Sequence, residues 1–377
     1  MTLTRQARVL LRRLGAPKGL EYAAAAAMLY HALFITAVVW VKTASNAVFL
    51  AGSDPQNLPF LYMGSALVVA GASIALARPL AKYSALVVAR RILPVISILV
   101  ALAAFATTLE VPGSLGLFYL VGESFTTVVS ILFWATVSEV FDVRAGKLLI
   151  GFIGGMGMAG SIVGGALVQK FSGVFEPIFQ AYAAALLLLV AWPLLRTMGR
   201  HREYSGTVVP KQVAEKARVS AGLHYASAER YPKLLGALVA MLSVLSAVVD
   251  YLFRSHYAQA SAEEMNRIFG AYNAHAGVIA LIFQIFLTRM LLSRIGLFPF
   301  LLLIPAATGI AGLWAMMGTG QDMPIYTLKV VQSIGSFSVT AAGVSLLYNP
   351  IPVSVRGSLR ALVDGSIKKT GAATAGG

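Results

Sequence analysis

The fold class the sequence predicts is an all-α, polytopic membrane protein built as two six-helix bundles, the second cut short in its eleventh span. Three observations predict it. Of the 377 residues, 58% are hydrophobic and 12% charged, with a mean hydropathy of +0.78, whereas soluble domains average roughly 25% charged. Apolar stretches close to the ~20 residues that cross about 30 Å of hydrocarbon recur from end to end. The basic residues gather in alternate loops, the asymmetry of a chain threaded repeatedly through a bilayer.

Residues 1–19, "MTLTRQARVLLRRLGAPKG", carry Arg5, Arg8, Arg12, Arg13 and Lys18 and no acid. They are expected to be a cytoplasmic segment lying against anionic headgroups rather than a targeting peptide. Residues 20–196 form the first bundle, with spans near 22–50, 59–77, 92–109, 114–141, 148–169 and 176–195. The one long polar interruption, residues 197–232, is a cytoplasmic linker. Residues 233–377 form the second bundle, with spans near 233–254, 268–291, 297–317 and 324–348 and an eleventh starting near Ser358. Ser261 to Glu264, "SAEE", is a capping box that opens the eighth span.

With the N-terminus inside, Arg78, Lys82, Arg90, Arg91, Arg144, Lys147, Arg289, Arg294, Arg356, Arg360 and the basic residues of the linker all fall on one side. The opposite loops "AGSDPQNLP", "LEVPGS" and "GTGQDMP" have no Lys or Arg. This positive-inside pattern accounts for the net charge of +15 without a nucleic-acid partner. The expected partner is the lipid bilayer, and the expected location a bacterial inner membrane with the N-terminus cytoplasmic.

Enzymatic chemistry finds no foothold. With no cysteine, a disulfide or thiolate metal site is excluded, and the five histidines lack metal-ligand spacing. Neither a Walker A sequence nor G-x-S-x-G occurs, and the 15 acids are scattered. No enzyme activity, metal or cofactor is expected. One motif needs an answer: "GMGMAG", Gly155 to Gly160, reads as the dinucleotide pattern G-x-G-x-x-G. That fingerprint requires a strand before it and a βαβ frame around it, and here it lies in mid-span. Gly151/Gly155, Gly157/Ser161, Gly160/Gly164 and Ser161/Gly165 are instead small-x-x-x-small pairs, which let helix backbones approach closely in lipid.

The division into halves has support from a weak repeat. Laying residues 139–165 over 351–377 matches Val143 to Val355, Arg144 to Arg356, Gly164 to Gly376 and Gly165 to Gly377. Parallel six-span halves are the plan of the major facilitator fold. On that plan the chain stops before the partner of Arg196, so the second half looks truncated. Arg144 and Arg356, in matched cytoplasmic loops, are candidate gating contacts.

Ionisable groups at hydrocarbon depth are costly, roughly 2.5 to 3.5 kcal/mol at the centre on insertion scales, and so mark functional positions. Lys42 lies about 13 Å inside the membrane surface at 1.5 Å per residue, and Glu123 at a similar depth. The two either pair directly or line a cavity. Asp250 and Lys329 occupy the corresponding outer portions of spans seven and ten, with interfacial snorkelling as the alternative. His31, three helical turns before Lys42, shares its face and is either a ligand contact or a hydrogen-bonded packing residue. In span eleven Asp364 can neutralise Lys368 at i, i+4, leaving Lys369 as a further cation.

The segments "ESFTTVVSILFWATVSEVFDVRAGKLLIGFIGGMGMAGSIVGG", "VVDYLFRSHYA", "LKVVQSIGSFSV" and "LLYNPIPVSVRGSLRALVDG" resemble the nucleotide transporter family of ATP/ADP translocases and their bacterial relatives, a branch of the major facilitator superfamily. The likeness extends from Lys42 to Gly377. In that family a Lys in span one, a Glu in span four and a Lys in span ten serve nucleotide recognition and exchange. Lys42, Glu123 and Lys329 look like their counterparts. The family's acid in span eight has no equivalent, since residues 268–291 contain no Asp or Glu and offer Asn273, His275 and Gln284 in its place.

The resemblance implies a secondary transporter moving a nucleotide or other organic anion by alternating access, as an ATP/ADP antiporter in its narrowest form. Lys42 and Lys329 would hold the substrate, with Lys368 or Lys369 as an inner contact. Glu123 and Asp250 would position the lysines, and Asp364 would join Arg144 and Arg356 in gating. Two other readings stand beside it. One is a non-transporting membrane anchor or sensor module with a degenerate carrier fold, serving a C-terminal soluble domain absent from this chain. The other is a lipid or drug flippase.

Overall fold

A computed structural model of the chain describes residues 5–13, 16, 18–141, 143–200, 224–318 and 320–336, with scattered positions between 344 and 371; the side chains of a few helical residues fall outside the description. Every regular element among the described residues is helical. Nine of these helices are long and apolar enough to cross a membrane, which makes the chain a multi-pass membrane protein. The spans are one (Glu21–Gly52), two (Leu58–Lys82), three (Ala85–Thr108), four (Ser114–Val140), five (Val143–Phe171) and six (Pro177–Arg200). They continue with seven (Arg230–Tyr257), eight (Ala262–Ile282), nine (Leu297–Met317) and the described part of ten (Asp322–Ile334). Span eight runs on through a π turn, Phe283–Leu287, into Thr288–Ile295.

Helices outrun the hydropathy boundaries at the basic loops. Span three begins at Ala85 rather than near 92, and span five at Val143 rather than near 148. Arg90, Arg91, Arg144 and Lys147 are good helix formers, so the backbone ladder persists where the apolar sequence ends. At the other end of the bundle the chain reverses between spans three and four through Glu110 (φ 52) and Gly113 (φ 80). Gly113 is the N-cap of span four, and its missing Cβ makes that left-handed geometry cheap.

The chain forms two compact units. One comprises Met1–Gly52, Gly71–Pro210 and Ser261–Ala274; the other comprises Ser53–Ala70, Lys211–Ala260 and His275–Gly377. Each unit therefore takes a short piece from the opposite half of the sequence. Residues 53–70, the start of span two, belong with the second half, and residues 261–274, the start of span eight, with the first.

Span one is the axis of the first unit: 61% of its central window is buried, against 39% or less for the other eight candidate spans. It packs against spans six, five and four. Its alanine run, Ala23, Ala24, Ala26 and Ala27, is fully buried and removes the side chains that would hold neighbouring helices apart.

The glycines of span five complete that packing. A Cβ on Gly157 would strike the His31 ring, one on Gly160 the Ala32 backbone, and one on Gly164 would stand 3.1 Å from Thr36 Cα. Thr36 donates to the Gly160 carbonyl at 2.9 Å and Trp40 Nε1 to that of Gly164 at 3.1 Å. On the other side a Cβ on Gly165 would lie 2.5 Å from the Gly270 carbonyl oxygen, which seats the start of span eight in this unit. A Cβ on Gly151 or Gly155 would meet nothing within 4 Å. The expected Gly151/Gly155 packing pair is thus corrected: close approach to span one begins only at Gly157.

In the second unit, Val249, Ala311 and Leu328 join spans seven, nine and ten. Leu359 and Val363 pack with Leu235 and Val239 of span seven, with Ile367 at the edge of the cluster. The expected eleventh span otherwise lies outside the described residues.

Candidate functional site

In the first unit the site begins with a close approach of spans one and four. A Cβ on Gly122 would lie 2.7 Å from Ser45 Oγ and 3.4 Å from Val41, so the absent side chain lets the two helices close. The next residue, Glu123, then meets Lys42: Nζ to Oε1 is 3.1 Å. The Lys42 side chain is 34% exposed and that of Glu123 16%, which leaves the cation as the accessible member. The Lys42 carbonyl accepts from Asn46 Nδ2 at 2.6 Å. Near by, Thr43 reaches Gln180 Oε1 of span six at 3.4 Å. Polar groups of spans one, four and six thus collect at one level.

In the second unit three groups converge on Asp250. Lys329 Nζ donates to Oδ1 at 2.7 Å, Arg254 Nη2 approaches Oδ2 at 2.6 Å, and the Tyr62 hydroxyl reaches Oδ2 at 3.4 Å. The Arg254 guanidinium also lies over the Tyr62 ring, 5.6 Å from its centroid. Here the two cationic side chains are 9% and 8% exposed and the carboxylate 23%.

This cluster belongs to a longer file. Along one face of span ten, Asp322 pairs with His256 at 2.9 Å, Tyr326 with His275 at 2.8 Å, Lys329 with Asp250, and Gln332 with Ser246 and Ser336, both at 2.8 Å. The spacing of three and four residues is that of a helix face. It runs from the exposed Asp322 inward to the buried Gln332.

The other expected site residues fare differently. His31 is a packing residue: its ring stacks on Phe133 at 4.4 Å, its Nδ1 lies 2.6 Å from the Ile153 carbonyl oxygen, and it is 5% exposed. Neither contact brings it to Lys42 or Glu123. Arg144 lies in span five with its side chain outside the described residues, as do Arg356, Asp364, Lys368 and Lys369 altogether. Of the span-eight candidates, His275 joins the span-ten file, while Asn273 donates to Phe269 and its carbonyl oxygen lies 3.5 Å from Ser161 Oγ in the first unit.

Sequence reasoning missed Arg254 and Tyr62. Arg254 carried a usable signal, because it stands four residues after Asp250 on a helix and such acid–base pairs meet. Tyr62 carried none, since only the tertiary structure brings the start of span two beside span seven. No group of three or more His, Asp or Glu able to hold a metal occurs among the described residues.

The nucleoside transporter NupG superposes with a TM-score of 0.63 at 14% identity, covering 94% of this chain and 89% of its own. A bacterial homologue of the iron transporter ferroportin, in an inward-facing state, gives 0.64 at 14%, covering 94% and 91%. The xylose transporter XylE from E. coli, in an inward-open conformation, gives 0.60 at 15%, covering 94% and 88%. This is the major facilitator fold. In sequence, no family model and no curated protein matches the chain.

Proposed function

We propose that the chain is a secondary transporter for organic anions that works by alternating access, with nucleotides as the substrate class. The major facilitator fold supports the transport part of this reading. Its neighbours are described as carrying a nucleoside, xylose and iron, so the fold does not select the substrate and the side chains must. The observation that carries the anion reading is that each unit holds, on a long apolar helix or a helix packed with one, a lysine beside an acid, Lys42 with Glu123 and Lys329 with Asp250. Unpaired, such cations would be expelled or neutralised; paired, they remain charged and available to exchange one anionic partner for another. The likeness of Lys42, Glu123 and Lys329 to the nucleotide-recognising positions of ATP/ADP translocases narrows the anion to a nucleotide. On this reading the chain is an antiporter of a bacterial inner membrane with its N-terminus cytoplasmic.

Reconstituted vesicles test it. Labelled ATP or ADP should enter faster when the lumen holds counter-substrate, and Lys42→Ala should suppress that entry. If ATP, ADP and phosphate are all ignored, with and without internal counter-substrate, the nucleotide reading fails and the anchor or sensor reading gains.

One feature favours a lipid alternative. Among the described residues, a groove of about 330 Å³ in the second unit is lined by Pro232, Gly236, Ala237, Ala240, Val363 and Ile367 among others, with the exposed Lys233 also on its wall. It suits an acyl chain with an anionic head. Movement of a labelled phospholipid between leaflets of the same vesicles would favour the flippase.

A further inference from the structure

Span three starts and span six ends at the same basic margin of the first unit, and two contacts tie them there. Trp192 of span six donates from Nε1 to the Arg90 carbonyl of span three at 2.9 Å. A Cβ on Gly199 would strike the Leu86 side chain, so the absent side chain lets the same two helices close again nearer their ends. The joint holds two arginines against aromatic rings. The Arg196 guanidinium lies over Trp192, 4.3 Å from the ring centroid. The Arg91 guanidinium lies 5.7 Å from the centroid of Tyr83, which Lys82 approaches at 5.4 Å. Stacking holds a guanidinium by its face and leaves the donors at its edge for an acceptor. Among the described residues, neither Arg91 nor Arg196 pairs with an acid.

Each of these arginines also heads an apolar stripe. Val95, Ile98 and Leu102 follow Arg91 on span three, and Leu186 and Val190 precede Arg196 on span six; all five are more than half exposed. With the exposed Pro193 they stand three or four residues apart, the spacing of one helix face. Because the two helices run in opposite directions, both stripes lead away from the arginines and into the span. Such surface suits acyl chains. A molecule that covers the stripes with hydrocarbon and reaches the arginines with a negative charge is an anionic phospholipid. A soluble anion would meet the cations and leave the stripes uncovered.

We propose that Arg91, Arg196 and Trp192 form a binding site for an anionic phospholipid, with its headgroup taken by the two guanidinium groups and its chains laid along the exposed faces of spans three and six. Basic residues gathered between helices at a membrane margin recognise headgroups in this way. The site differs from a general basic surface, where every cation counts alike, because rings and a backbone contact hold these side chains in place. It is separate from whatever the chain carries, and nucleotide entry into vesicles is a different readout, so either reading can fail alone.

Native mass spectrometry of the full chain in a neutral detergent tests it, with phosphatidylglycerol and phosphatidylcholine as probes. Wild type should bind phosphatidylglycerol about tenfold tighter than phosphatidylcholine, and Arg196→Gln should remove about fivefold of that preference, the worth of one basic residue at a lipid surface. Trp192→Leu keeps the charge but unseats it, and should cost about twofold to fivefold. Arg13→Gln removes an equal charge from the exposed face of the N-terminal helix and should leave the preference unchanged. Glycerol 3-phosphate, which has the phosphate without the chains, should not displace phosphatidylglycerol at equal concentration. The assignment is overturned if wild type binds both lipids equally, or if Arg196→Gln and Arg13→Gln lower the preference by the same factor, as a general basic surface would. Displacement by glycerol 3-phosphate would overturn it too, by reassigning the arginines to a soluble anion.

Discussion

The two charged sites are built in opposite senses. In the first unit one lysine meets one glutamate, and the lysine is the accessible member. In the second, two sealed cations grip one aspartate, and the acid is accessible. The first pair leaves its cation partly exposed, whereas the second leaves its acid partly exposed and buries both cations. Their construction differs as well. Lys42 and Glu123 meet because Gly122 allows two helix backbones to close. The Asp250 cluster is assembled by side chains reaching across spans two, seven and ten.

The comparison breaks most readily at Asp250. Asp250→Ala should lower stability by about 3–5 kcal/mol, because it strands two buried cations. Glu123→Ala should cost less, about 2.5 kcal/mol, since it strands one partly exposed cation rather than two sealed ones. Thermal unfolding in nanodiscs checks both, and equal losses would erase the distinction.

Next in size is Lys42→Ala, which should reduce labelled ATP entry by about tenfold to a hundredfold, the loss of one charge-assisted contact. A reduction matched by Glu123→Gln at unchanged stability would mean the pair acts as a unit rather than through its cation. Gly122→Leu should then cost about 1–3 kcal/mol by forcing spans one and four apart. Gly155→Ala, whose added methyl meets nothing within 4 Å, is the control and should stay within about 0.5 kcal/mol of wild type. Tyr62→Phe should be smallest in stability, about 0.5 kcal/mol, since its hydroxyl contact is 3.4 Å long.

Much of this architecture was legible before any coordinates, for a physical reason. Lipid permits few backbone solutions, so apolar length and basic asymmetry together announce a helical bundle. The role of Gly160 and Gly164 was legible on the same terms, because small residues at four-residue spacing have one main use in a membrane helix. Lys42 and Glu123 stood out by depth alone. His31 shows the limit: periodicity placed it on the face of Lys42, yet the bare backbone of Gly157 gives its ring a seat between helices. Arg254 was hidden by position, looking like an end-of-span charge when its guanidinium in fact turns inward to Asp250. Tyr62 could not be found from local pattern at all.

The exchange of residues 53–70 and 261–274 between units bears on how this chain can be dissected. A cut at the polar linker would leave each fragment carrying a short run of helix that groups with the other, so making both together in one membrane is the way to learn whether they reassemble.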